Sequence, residues 1–258
     1  TSNVDCGGLA SRFDYIVNHT SYFSAVSPTS YYISNDGKEL KLWDSGCPGT
    51  TLEQYAQKFL ERDIKVFPHV AYDSINITSL RDGILNNKTV QHKFITELRE
   101  KAQKYNYTGY SLDMFPNNDE LGYITPEDGK NYAILADTLS QELHKYNKQL
   151  RVYVEPGDLF SNIDLLTQTN VDLILSQAYE YSIDVGEFQR KLDYSVAHIH
   201  KDKLGIGICS KCLSHGHFTA AALTYRFQQL KNANITEMGI WVSDVPESWL
   251  IYLEKFLN

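Results

Sequence analysis

The chain alternates between two hydrophobic periods. Seven short runs rich in apolar, β-branched or aromatic residues recur along it, at Phe23–Ile33, Ile64–Ala71, Tyr107–Met114, Leu150–Glu155, Val171–Gln177, Leu204–Cys209 and Met238–Val242. Each has the length and composition of a strand. Amphipathic stretches separate them, over Thr51–Arg62, Thr89–Tyr105, Gly129–Asn147, Asp158–Thr169, Val185–His200 and Phe218–Asn232, with Pro246–Leu257 closing the chain. Within Asn131–Leu143 the apolar residues return every three or four positions, as a helix covering a sheet requires. A weaker pattern places an eighth strand near Asn3–Leu9.

Strand-helix alternation on this scale implies a parallel sheet. Seven or eight repeats favour closure into a (β/α)8 TIM barrel over an open doubly wound sheet. No Gly-x-Gly-x-x-Gly follows an early strand, so a dinucleotide cofactor is not expected, nor any other cofactor. No Pro/Gly/Ser-rich linker or low-complexity tract interrupts the 258 residues, which predicts one domain over 1–258.

Composition narrows the partners. The net charge of −8 argues against nucleic acid, and no apolar run reaches the roughly 18 residues that span a bilayer. The chain starts at Thr1 without a Met, which suggests a removed leader. Five Asn-x-Thr sequons, at Asn18, Asn76, Asn87, Asn106 and Asn234, predict an N-glycoprotein that is secreted or lysosomal. A monomer is expected, because five glycans would shield much of the surface. The four cysteines, Cys6, Cys47, Cys209 and Cys212, are read as disulfides; of the three possible pairings, Cys6–Cys47 with Cys209–Cys212 is preferred. Cys209, Cys212, His215 and His217 superficially resemble a metal cluster. Zinc modules draw ligands from two separated knuckles, whereas these four crowd into nine residues, so no metal is expected.

In such barrels the chemistry gathers where strands end at the C-terminal face. Those ends supply Tyr72 and Asp73; Asp113 and Phe115; Glu155; Gln177, Tyr179 and Glu180; and Trp241 and Asp244. Carboxylates interleaved with aromatics suit a sugar, whose C–H faces stack on rings while its hydroxyls bond to acids and amides.

The order of segments resembles the family 18 glycoside hydrolases, the chitinase and chitobiase group. Ala25–Gly37 is similar to that family's second strand and following hairpin, particularly in its spore-hydrolase branch, and Gln54–Pro68 to its helix and third strand. Phe94–Asp113 resembles the approach to its catalytic fourth strand, Gln177-Ala-Tyr179-Glu180 its Met-x-Tyr-Asp motif, Gly205–Gly207 its seventh strand and Gly239–Trp241 its eighth. The family pattern on the fourth strand is Asp-Gly-x-Asp-x-Asp-x-Glu. Here Gly109 and Asp113 match, while Thr108, Ser111 and Phe115 replace two acids and the proton-donating Glu. Phe115 has no proton to give, so the family mechanism is not available in its usual form.

Three readings follow. The first is a chitinase-like lectin that binds an oligosaccharide or glycan through Asp113, Phe115, Tyr179 and Trp241. The second is an active glycosidase pairing Asp113 with Glu155 or Glu180. The third is a non-enzymatic scaffold whose glycosylated exterior is what partners meet.

Overall fold

Two of the predicted strands are broken by prolines. Phe23–Ile33 divides into β1 (Ala25–Val26) and β2 (Thr29–Ile33) around Pro28, and Ile64–Ala71 into β4 (Lys65–Val66) and β5 (His69–Ala71) around Pro68. Proline has no N–H for the ladder, yet pairing continues past both breaks. Phe67 N donates to Val26 O at 2.9 Å and His69 N to Pro28 O at 2.8 Å. Ser27 Oγ donates to Phe67 O at 2.9 Å, supplying a donor where Pro28 has none.

The computed structural model describes residues 13–43, 52–71, 76–178, 184–210, 218–241 and 245–257. The predicted strand at Asn3–Leu9 lies outside them. The remaining strands are β3 (Leu40–Leu42), β6 (Gly109–Asp113), β7 (Gln149–Val154), β8 (Leu173–Gln177), β9 (Leu204–Cys209) and β10 (Glu237–Trp241). β3 folds back antiparallel on β2, and from β2 onward the order β2-β5-β6-β7-β8-β9-β10 is parallel throughout.

The sheet is closed into a TIM barrel, and ring contacts show the curl. β5 and β10 are five hydrogen-bonded steps apart, which in a flat sheet would separate them by about 24 Å. The rings of His69 on β5 and Trp241 on β10 nevertheless lie 5.6 Å apart.

Residues 13–18 are helical and form α1. The other helices are α2 (Leu52–Leu60), α3 (Ile77–Leu80), α4 (Lys88–Lys104), α5 (Pro126–His144), α6 (Ile163–Leu166), α7 (Val185–His198), α8 (Ala220–Asn232) and α9 (Leu250–Leu257). α5 begins three residues before its predicted start because Thr125 and Asp128 form a capping box with Pro126 inside it. α6 is one turn, where the sequence suggested a helix over Asp158–Thr169. Asp158 instead folds the preceding loop, accepting from Ser161 N and Oγ at 2.6 and 2.8 Å.

Strand residues alternate between two cores. Tyr110 points outward, its hydroxyl donating to Leu98 O on α4 at 2.8 Å, and Ser176 meets Ser195 of α7 at 2.6 Å. Residues of the opposite parity fill the barrel. Arg151 lies over the Phe67 ring at 3.6 Å from its centroid, and Leu175 packs so closely on Gly205 that a Cβ there would stand 2.7 Å from its Cδ2.

Candidate functional site

Asp113 ends β6 at the C-terminal mouth of the barrel, with its side chain 14% exposed. His69 Nε2 lies 2.9 Å from Asp113 Oδ2, and Gln177 Nε2 donates to Oδ1 at 3.4 Å. The imidazole is almost wholly buried and approaches off-axis, so Nε2 makes no hydrogen bond of good geometry within the protein. Both carboxylate oxygens therefore face groups from other strands, Oδ2 from the adjacent β5 and Oδ1 from β8, two strands away across the barrel mouth.

Three rings from three strands line this centre. His69 stands 5.3 Å from Tyr153 and 5.6 Å from Trp241, and Tyr153 stands 6.5 Å from Trp241; the two contacts to Trp241 are edge-on. Burial pushes the Tyr153 phenol up to about 12, with the Asp113 charge adding to the shift. Tyr153 is thus a neutral hydroxyl at physiological pH. Behind the site, Tyr132 of α5 stacks on Phe160 at 4.6 Å, and its hydroxyl is buried without a hydrogen-bond partner. Burial, followed by the charges of Asp113 and Asp158, drives the Tyr132 phenol well above its ordinary value.

Of the residues predicted from sequence, Asp113, Gln177 and Trp241 meet at this centre, Gln177 by its hydrogen bond to Asp113 and Trp241 through the His69 ring. Phe115 is half-buried two residues beyond Asp113. Glu155 is placed elsewhere: its side chain is 54% exposed and Oε1 lies 3.2 Å from Lys191 Nζ on α7. Period-two alternation would aim Glu155 inward with Arg151 and Tyr153, but β7 ends at Val154 and the chain turns through Pro156 and Gly157 (φ +85°). Tyr72, Asp73, Tyr179, Glu180 and Asp244 lie outside the described residues.

His69 and Tyr153 were not anticipated. A signal existed for Tyr153: in strands covered on both faces, a polar residue between buried aliphatics, as in Val152-Tyr153-Val154, marks the barrel interior.

All five sequon asparagines are exposed. Cys209 is buried at the end of β9 and disulfide-bonded; Cys6, Cys47 and Cys212 lie outside the described residues, and the pairing with them. Among the described residues no group of three or more His, Cys, Asp or Glu side chains is arranged to hold a metal ion, and no helix is long and apolar enough to cross a membrane.

No protein-family model matches this sequence, and no curated protein matches it significantly. Solved structures do. A chitinase from Chromobacterium violaceum superposes with a TM-score of 0.76 at 12% identity, over 98% of this chain and 96% of that one. A class V chitinase from Pseudomonas fluorescens gives 0.76 at 14% identity, over 98% of both. The group IV chitinase of Ostrinia furnacalis in complex with allosamidin gives 0.58 at 14% identity, over 74% of this chain and 59% of that one. The chain therefore has the barrel fold of chitinases, with a histidine–aspartate centre at its mouth.

Proposed function

We propose that this chain is a secreted, N-glycosylated, chitinase-like lectin that binds an oligosaccharide at the barrel mouth without the hydrolytic chemistry of family 18. The observation that carries this reading is the Asp113 centre, a carboxylate flanked by an amide and an imidazole and walled by Tyr153 and Trp241. Such a wall offers ring faces and edges to sugar C–H groups, and the polar atoms can take hydroxyl or amide hydrogens. Phe115 supports the loss of catalysis, because it occupies the place where the resemblance puts the proton donor.

The hydrolytic alternative needs a second carboxylate opposite Asp113. Glu155 is engaged by Lys191 on the outside of the barrel, which leaves Glu180 as the partner that reading requires. The scaffold reading requires an empty mouth.

The deciding experiment is calorimetric titration with chito-oligosaccharides and with allosamidin, which the Ostrinia chitinase binds, alongside a hydrolysis assay on the same sugars. Binding without turnover is the expected result. Turnover abolished by Glu180→Gln establishes the hydrolase, and absence of binding to any glycan on a broad array favours the scaffold.

A further inference from the structure

Leu121 and Tyr123 are 85% and 75% exposed, more than any other large apolar side chains among the described residues. Exposed apolar groups usually sit on loose loops, but this turn is fixed. Asp119 accepts hydrogen bonds from Thr78 N at 3.2 Å, Thr78 Oγ1 at 3.0 Å and Leu121 N at 2.8 Å. Asn118 Oδ1 accepts from Ile124 N at 2.7 Å, and Arg81 donates to Tyr123 O. The ordering cost of presenting these two side chains is already met by the fold, which is the condition for efficient contact with something that covers them.

The same hydrogen bonds say what lies nearest. Thr78 belongs to the sequon Asn76-Ile77-Thr78. Asn76 forms a bridge with Asn117, Ile77 N donates to Asn117 O at 2.9 Å, and a Cβ built on Gly122 would stand 3.3 Å from Thr78 Oγ1. Gly122 lies between Leu121 and Tyr123, so the sequon abuts the centre of the exposed turn. Asn76 is itself exposed and free to carry a sugar.

We propose that an N-glycan on Asn76 covers Leu121 and Tyr123, with the C–H face of its first sugars packed against the Tyr123 ring. This rests on the secretory part of the proposed function. The modification forms a bond between Asn76 Nδ2 and the anomeric carbon of the incoming sugar. It breaks the glycosyl–phosphate bond of a lipid-linked pyrophosphoryl oligosaccharide donor and releases an amide proton and the lipid pyrophosphate. The transfer acts on the unfolded sequon, before Thr78 Oγ1 is committed to Asp119. The glycan would then do for this rim what a helix does for a sheet, removing an apolar face from water without adding a protein layer.

The test uses the full chain from a eukaryotic secretory host. Mass spectrometry reads sequon occupancy, and hydroxyl-radical footprinting reads side-chain exposure, with the distant, partly exposed Tyr146 as internal reference. Oxidation of Tyr123 is expected to rise about threefold in Asn76→Gln relative to the glycosylated chain, with Tyr146 unchanged, since a ring packed under a sugar loses most of its accessible face. Enzymatic removal of the glycan from the folded protein should give the same rise, which guards against a folding defect in the variant. Full occupancy of Asn76 with Tyr123 oxidation unchanged by glycan removal overturns the proposal. So does an unoccupied Asn76 when the other sequons carry glycans, and in that case the secretory reading survives; glycans at none of the five sequons defeat both.

Discussion

His69 Nε2 reaches Asp113 Oδ2 at 2.9 Å although the sheet register pairs His69 with Ser111 and places Ala71 opposite Asp113. The imidazole therefore leans two residues toward the C-terminal mouth. That lean is possible because the neighbour above it on β5 is only an alanine, and it is held by the edges of Trp241 and the ring of Tyr153. The centre is assembled by residues from β5, β6, β7, β8 and β10, and no single strand carries its chemistry.

Asp113→Asn should weaken oligosaccharide binding by roughly tenfold to a hundredfold, the range of about 1.5–3 kcal/mol for a hydrogen bond to a charged group. Titration calorimetry checks it. The change is isosteric, so the thermal midpoint should move little, and a large drop in stability with unchanged affinity would make Asp113 a structural residue.

Trp241→Ala should cost at least about tenfold in affinity, because it removes the ring that faces both His69 and Tyr153. Trp249→Ala is the contrast. Trp249 is 1% exposed and packs against Phe218 and Phe227, so its truncation should cost about 3–5 kcal/mol of stability. Chemical denaturation separates the two effects.

The barrel was legible because seven strand-like runs recur at a spacing only a parallel, helix-covered sheet satisfies, and all seven are strands in the structure. Boundaries were less so. Thr125, Pro126 and Asp128 suit a cap and a first turn but carry no hydrophobic period, so the true start of α5 is written in its capping chemistry. Asp113, Gln177 and Trp241 could be picked out as strand-end residues of the right chemistry. His69 could not, because it opens β5 two residues short of the strand's end and reaches the mouth only by leaning, a displacement that depends on the small Ala71 beside it and on rings from β7 and β10. Glu155 shows the converse: its parity was right, and the chain turned away one residue before parity could act.

Glu155→Gln should leave both affinity and stability within about 1 kcal/mol of the parent, since a half-exposed ion pair such as that with Lys191 contributes little. Parallel calorimetry and denaturation test this. A loss of glycan turnover in this variant would restore Glu155 to the catalytic role.

Asp128 predicts an acid limb of stability. Burial alone would raise its carboxyl, but hydrogen bonds from Arg81 and Thr125 outweigh burial and hold it below the usual carboxylate range. Arg81 Nε approaches Oδ1 and Nη2 approaches Oδ2, both at 2.6 Å. A carboxyl depressed in the folded state contributes stability that is present above its unfolded value and lost as pH falls through the folded one. The thermal midpoint should therefore fall on acidification below the ordinary carboxylate range, and Asp128→Asn should flatten that limb while lowering the midpoint at neutral pH. An acid limb of unchanged slope in Asp128→Asn would assign the effect to other carboxylates.

Phe115→Glu probes whether the missing acid alone separates this barrel from a hydrolase. The variant puts a carboxyl two residues beyond Asp113, on the same parity of the chain, where the resemblance places the proton donor. The resemblance implies that the preceding carboxylate, Asp113 here, orients the sugar's acetamide. Here Asp113 is faced by His69 on one oxygen and Gln177 on the other. The expected outcome is therefore a small gain: slow release from a chromogenic chito-oligosaccharide where the parent shows none, rising further when His69→Ala frees Oδ2. Robust turnover by the single variant would show that the His69 contact does not restrain Asp113, and turnover in the unmodified chain would remove the lectin reading altogether.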